Sequence, residues 1–160
     1  MPGPTPHVPT TASGGQMSYA IFQLARAHRG YAAAMLREMG LHPGQELLLM
    51  QLLDRDGQTQ SELLESVGLD HSTVSKSLRR MQDAGLLTRE PAAYDRRVMV
   101  VRLTDKGRAM RAPIRAMWQD LEKTSARNLS AQQAEDFVRT AYAIAEAINS
   151  RGLSPIDDSK

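Results

Sequence analysis

Between Thr59 and Gly85 the chain reads TQSELLESVGLDHSTVSKSLRRMQDAG, and no other stretch restricts the fold as tightly. Thr59 and Glu62 stand at capping-box spacing, Leu63, Leu64 and Val67 supply an inner face, and Gly68 turns the chain. Asp70 then caps a second helix with Val74, Leu78 and Met81 as its buried stripe. Its other face carries Ser72, Thr73, Ser75, Lys76, Arg79 and Arg80, only hydroxyls and cations. A short helix, a glycine turn and a helix with such a face is the sequence form of a helix-turn-helix.

LLTRE and RVMVVRL follow as two strands joined by the loop PAAYDR, with Met99, Val101 and Leu103 facing in and Arg102 facing out. A hairpin in this place is a wing. Its tip holds Asp95, Arg96 and Arg97, and two adjacent arginines there are either solvated hairpin charge or a reach toward something acidic. The wider charge pattern bears on that choice. Residues 70–111 hold ten cations against five acids, a net of +5 in a chain whose formal charge is +2. A basic centre between mildly acidic arms suits a nucleic-acid surface, although charge runs are also ordinary solvated faces.

The flanks are helical. A first helix is expected over 18–39, ending at Gly40, with Ile21, Leu24, His28, Tyr31, Met35 and Met39 on one stripe. In LHPGQELLLMQLLDRDG, Pro43 is expected in the first turn, and residues 47–53 are apolar nearly all round. Thr104 caps a long helix with Asp105 in its first turn and Met110, Ile114, Met117 and Leu121 as its stripe, and Pro113 predicts a bend inside it. Ser130 and Gln133 form another capping box, opening a final alanine-rich helix with Phe137, Ala141, Ile144 and Ile148 along one side. With only seven aromatic residues to fill a core, close helix packing must supply the bulk, and these arms hold more apolar surface than one small domain needs. A homodimer built by them is the economical expectation. The fold class is therefore mainly α with a small β-hairpin: a winged helix-turn-helix lobe over 42–103, an N-terminal dimerisation helix over 17–41 and C-terminal dimerisation helices over 104–149. Residues 1–16 and 150–160 read as tails, the first too rich in proline and small polar residues to offset its ordering entropy.

The segments LHPGQELLLMQL, QSELLESVGLDHSTVSKSLRRMQDAGLLTRE and DRRVMVVRLTDKGR together resemble the MarR (multiple-antibiotic-resistance regulator) family of bacterial transcription factors. The likeness spans 18–148 and is most specific over 60–107, where Asp95, Arg97, Leu103, Thr104 and Gly107 match the family's wing signature. It implies an obligate, triangular homodimer in the cytoplasm that binds a pseudo-palindromic operator in double-stranded DNA. Such a protein is usually a repressor released by a small aromatic or amphipathic effector.

The resemblance also assigns roles. Arg97 is the residue inserted into the minor groove, whose negative potential attracts arginine. Asp95 orients it, and Arg96 lies alongside on the DNA backbone; the alternative is a salt-bridged hairpin with no ligand. Ser72, Thr73, Ser75 and Lys76 face phosphates or base edges near the start of the recognition helix, with Arg79 and Arg80 holding phosphates further along. The competing reading is a capped, solvated helix. His28 on its apolar stripe points to an effector pocket with Tyr31, Met35 and Met50, or else to an interface histidine among core residues. No catalytic residue, cofactor, metal or membrane is expected. The four histidines, His7, His28, His42 and His71, lack the clustering of zinc-responsive relatives, and the absence of cysteine removes peroxide sensing through a thiol. No phosphate loop, nucleophile elbow or zincin pair appears, which argues against an enzyme. A winged helix used for protein contact is the remaining alternative, and it has no need of cations on both helix and wing.

Overall fold

The structure, a computed structural model, describes residues 7–151. Expectations for the outer parts of the tails, 1–6 and 152–160, lie outside the described residues. The backbone divides into two units, Met1–Pro43 and Gly44–Lys160.

In the first unit a 3₁₀ helix, Thr10–Gly15, leads into α1, Gln16–Glu38. Part of the stretch expected as a tail thus has regular structure: Pro9 sits at φ −55°, set for a helical start, and its carbonyl accepts from the Ala12 N–H at 2.9 Å. The end of α1 follows from Gly40, which takes φ 72° so that the Gly40 N–H reaches the Arg37 carbonyl and the Leu41 N–H reaches that of Leu36. Ile21, Phe22, Leu24 and Tyr31 are exposed along α1, while Leu36 is buried.

The second unit opens with α2, Gln45–Asp54. Pro43 lies outside it rather than in its first turn, because Gly44 is the N-cap, in the left-handed region at φ 93°, and its N–H donates to Glu46 Oε2 at 2.8 Å. Burial raises the Glu46 carboxyl above its ordinary range, and the backbone N–H groups of Glu46 and Gly44 partly offset this. A two-residue strand β1, Gln58–Thr59, precedes α3, Gln60–Val67, and α4, His71–Asp83. The wing strands are β2, Leu87–Pro91, and β3, Met99–Leu103. The sheet is antiparallel in the order β1-β3-β2, with Gln58 opposite Val101 and Leu87 opposite Leu103. The hairpin was legible in the sequence; β1 was not.

Leu48, Leu49, Leu52, Leu63, Val74, Leu78, Met81, Leu87 and Val101 are the most deeply buried apolar side chains of this unit. Each contributes about 1.5–3 kcal/mol through burial. They come from α2, α3, α4 and the sheet, so the recognition helix, the wing and α2 share one core. Gln58 is buried with them, at 2% exposure, and its carboxamide is fully used: Nε2 donates to the carbonyls of Gln51 and Arg55, and Oε1 accepts from Arg55. Asp56 closes the same corner. Its Oδ1 accepts from the Leu103 N–H at 2.9 Å, and its Oδ2 pairs with Arg108 at 3.2 Å.

Beyond the wing, Thr104 caps α5, Asp105–Ala109, which stops at Met110 before α6 begins, Arg111–Ser125. The bend expected at Pro113 is instead a break between two helices. Proline lacks the N–H that would bond the carbonyl four residues back, and its ring crowds that carbonyl, here Ala109, so the interruption falls just ahead of the proline. Ile114, Met117 and Leu121 are buried as the stripe required, and α6 packs on α2. The final helix α7, Ala131–Asn149, begins at the Ser130–Gln133 capping box and buries none of its residues. Phe137, Val138, Tyr142 and Ile148 are each half or more exposed there. Among the described residues no helix is long and apolar enough to cross a membrane.

Candidate nucleic-acid interface

The recognition helix α4 is positioned at both ends by local chemistry. At its start Asp70 takes the extended backbone of an N-cap and accepts the Thr73 N–H at 2.8 Å. At its end Gly85 adopts φ 73°, the Leu86 N–H returns to the Met81 carbonyl, and Thr104 and Lys106 bond the carbonyls of Gly85 and Ala84. Gly107 then lies against the Leu86 carbonyl so closely that a Cβ would stand 2.0 Å from its oxygen. The glycine of the wing signature is thus required where α5 crosses the joint between α4 and β2.

Val74, Leu78 and Met81 turn inward as expected, while Ser72, Lys76, Arg79 and Arg80 are exposed and Thr73 and Ser75 half-buried. The hydroxyls nearest the helix start are already committed. Ser72 donates to Asp70 Oδ1 at 2.7 Å and Thr73 donates to Oδ2. While this cap stands, both residues offer lone pairs outward rather than protons, which suits amino groups on base edges and not phosphates.

The Thr73 and Ser72 hydroxyls and the Thr73 N–H hold the Asp70 carboxyl well below the usual range. A carboxylate so depressed adds stability above its unfolded pKa of about 3.9, and that stability is lost as pH falls toward the lower folded value. Asp70→Asn keeps an acceptor for the Thr73 N–H but removes the titration. In denaturant melts the variant is expected to be less stable than wild type at pH 7, with the gap narrowing toward pH 3. A gap of constant size would show that the charge has no part in the cap.

At the wing, Asp95 Oδ1 accepts both the Arg97 N–H at 2.9 Å and Arg97 Nε at 3.3 Å. Arg97 Nη2 also reaches Asp95 Oδ2 at 3.5 Å, yet the Arg97 side chain remains 92% exposed, so the carboxylate takes one edge of the guanidinium and leaves the rest to solvent. Such a pair adds only about 0–1 kcal/mol to stability. Its evident effect is direction. Arg96 beside it is exposed.

An open cleft of about 230 Å³ joins these elements. Arg97, Val98 and Met99 line it from the wing, His71 from the start of α4, and Thr59, Gln60, Ser61 and Leu64 from the neighbourhood of α3. Wing and recognition helix therefore border one concavity. The cations around the lobe sort by use. Arg55, Arg89, Lys106, Arg108 and Arg111 are each bonded to the protein itself, by Glu62, Gln82, the Ala84 carbonyl, Asp56 and the Leu53 carbonyl respectively. The side chains of Lys76, Arg79, Arg80 and Arg96, and that of Arg102, which lies over Gly57, have no hydrogen-bonded or ionic partner among the described residues.

The MarR family model matches residues 39–98. The HTH-type transcriptional regulator MgrA of Staphylococcus aureus is 29% identical over 97 residues, covering 60% of this chain and 66% of the relative's length. Over its central segment the chain is similar in sequence to MarR-family regulators. The PcaV transcriptional regulator from Streptomyces coelicolor superposes with a TM-score of 0.74 at 25% identity, over 83% of this chain and 97% of that one. A mutant MarR from E. coli, complexed with operator DNA, gives 0.77 at 19% identity over 86% and 99%, a likeness of fold.

The effector candidates fall in both units. His28, Tyr31 and Met35 lie on α1, and Met50 lies on α2, where its sulfur accepts from Trp118 Nε1 at 3.1 Å. Trp118, the chain's single tryptophan, was not singled out in the sequence, nor were Gln60, Ser61 and His71. For His71 a signal existed, since it is the first residue after the Asp70 cap. Gln60 and Ser61 come to line the same cleft as Arg97 only through folding.

Proposed function

We propose that this chain is a double-stranded-DNA-binding transcriptional regulator that works as a homodimer on a pseudo-palindromic operator, a repressor released by a small aromatic or amphipathic effector. The observation that carries the reading is the sorting of cations. Those elsewhere on the lobe, Arg102 over Gly57 apart, are self-engaged, while Lys76, Arg79, Arg80 and Arg96 stand free on the two elements that border one cleft, beside an outward-aimed Arg97. Unpaired cations so placed suit phosphates, and a directed guanidinium suits the minor groove. In this assignment Lys76, Arg79, Arg80 and Arg96 hold the DNA backbone. Ser72, Thr73 and Ser75 face base edges, and Asp95 orients Arg97. The apolar side chains exposed along α7 and α1 support a second copy as partner. The PcaV regulator has also been solved in complex with its natural ligand, which supports an effector for this chain.

The test is equilibrium binding of the purified protein to DNA recovered by selection from a random pool. Eight neutralised phosphates give a slope of about −7 for log affinity against log salt, and half-sites are expected roughly 34–36 Å apart. Sedimentation is expected to report a dimer. A flat salt response, or a monomer that leaves every recovered duplex unbound, overturns the proposal.

A further inference from the structure

Tyr94 is 77% exposed, and among the described residues 44–110 it is the one large apolar side chain left so open. The other exposed large apolar residues lie on α1, α6 and α7 or, for Leu129, in the turn between the last two. Tyr94 has no hydrogen-bond or ring partner among the described residues. Its backbone, in contrast, is well braced. The Ala92 N–H donates to the Val98 carbonyl at 2.7 Å and closes the tip loop, and the Val98 N–H donates to the Asp95 carbonyl at 3.0 Å inside it. Ala92 is buried at 4% exposure, and Asp95 grips Arg97. A tip fixed at both ends therefore presents three large side chains outward: Tyr94, Arg96 and Arg97.

We infer that Tyr94 is a further DNA-contacting residue, its ring packed on the deoxyribose wall of the minor groove that Arg97 enters and its phenol O–H donating to a phosphate. The inference rests on the DNA-binding reading above and assigns a residue to it. A neutral aromatic ring two and three positions from two cations matches a surface that alternates apolar and anionic, as sugars and phosphates do along one strand. The minor groove, about 6 Å wide, brings both walls within reach of a wing tip. The hydroxyl at the far end of the ring allows the ring to be desolvated while its polar tip stays bonded.

The experiment compares wild type, Tyr94→Ala, Tyr94→Phe and Arg97→Ala on one selected operator across a salt series. Tyr94→Ala removes apolar contact but no charge. It is expected to weaken binding about five- to tenfold with the wild-type salt slope, whereas Arg97→Ala lowers the slope by about one. Tyr94→Phe, which keeps the ring, is expected to recover most of the loss and to stay about twofold weak for want of the hydroxyl. The substituted side chain is exposed, and unchanged far-UV circular dichroism and dimer mass verify that the fold is kept. Tyr94→Ala binding as tightly as wild type overturns the assignment alone, as does a Tyr94→Phe variant as weak as the alanine one. Failure of the wild type to bind any duplex overturns this assignment and the regulator reading together.

Discussion

Replacing Arg97 with alanine is expected, on the proposed reading, to weaken operator binding at least tenfold, equivalent to about 1.4 kcal/mol or more, while leaving the proposed dimer intact. The reason is the asymmetry between what Arg97 does for the fold and what it offers outside. Within the protein it makes one exposed ion pair and one backbone hydrogen bond to Asp95, and the backbone bond survives the substitution. Stability should therefore change by no more than about 1 kcal/mol. Toward DNA the loss is larger, because the groove loses a guanidinium already aimed by a carboxylate. Side-by-side fluorescence anisotropy and sedimentation would separate the two. Binding equal to wild type would remove the wing from the interface, and a dissociated dimer would show that Arg97 supports assembly.

The second large effect falls on the fold. In Gly107→Ala the new methyl would stand 2.0 Å from the Leu86 carbonyl oxygen and 3.0 Å from Leu103 Cδ2. The Leu86 oxygen belongs to backbone and accepts the Thr104 N–H at 3.1 Å, so it cannot withdraw without breaking a bond at the α5 cap. Overpacking of this kind costs about 3 kcal/mol, the upper end of its usual range, and lowers Tm by roughly 6–12 °C in a chain of this size. Gly30 is the matched control: within α1 the same methyl meets nothing within 4 Å, and alanine there is expected to raise stability. Thermal melts of both variants decide the matter, and a Gly107→Ala protein that melts with wild type would mean the α4–β2 joint yields freely.

What could be read from the sequence was mostly what depends on near neighbours. Thr59 with Glu62 and Ser130 with Gln133 are capping boxes in the structure because three residues of helix fix their geometry. Val74, Leu78 and Met81 are buried because helical periodicity places them on one side. Misses arose where a partner is distant or a backbone is unusual. Strand β1 exists only because Gln58 and Thr59 meet Val101 and Val100, some forty residues away, and two residues carry no alternation to detect. Pro43 lies outside the helix that the sequence predicts for it because the left-handed turn at Gly44 leaves no trace in hydrophobic pattern. Pro113 pointed to a disturbance correctly in kind but not in place, since proline acts on the carbonyl four residues back. On the solvent-facing side of α4 the exposure of Ser72, Lys76, Arg79 and Arg80 was legible from periodicity. The commitment of the Ser72 and Thr73 protons to Asp70 was not, because hydroxyl direction is settled by rivals for the same oxygen.

The buried carboxamide of Gln58 ties three elements with one side chain and one strand position. Its nitrogen holds the last turn of α2, and its backbone is laced to β3, the strand that carries the wing. Pulling the end of α2 by a fraction of an ångström must either break those bonds in an apolar interior, at about 1–3 kcal/mol for a stranded polar group, or drag the wing along. A molecule lodging beside Met50 on α2 would thereby acquire a mechanical linkage to the arginine tip, and the protein an allosteric lever that does not depend on any contact between that molecule and DNA.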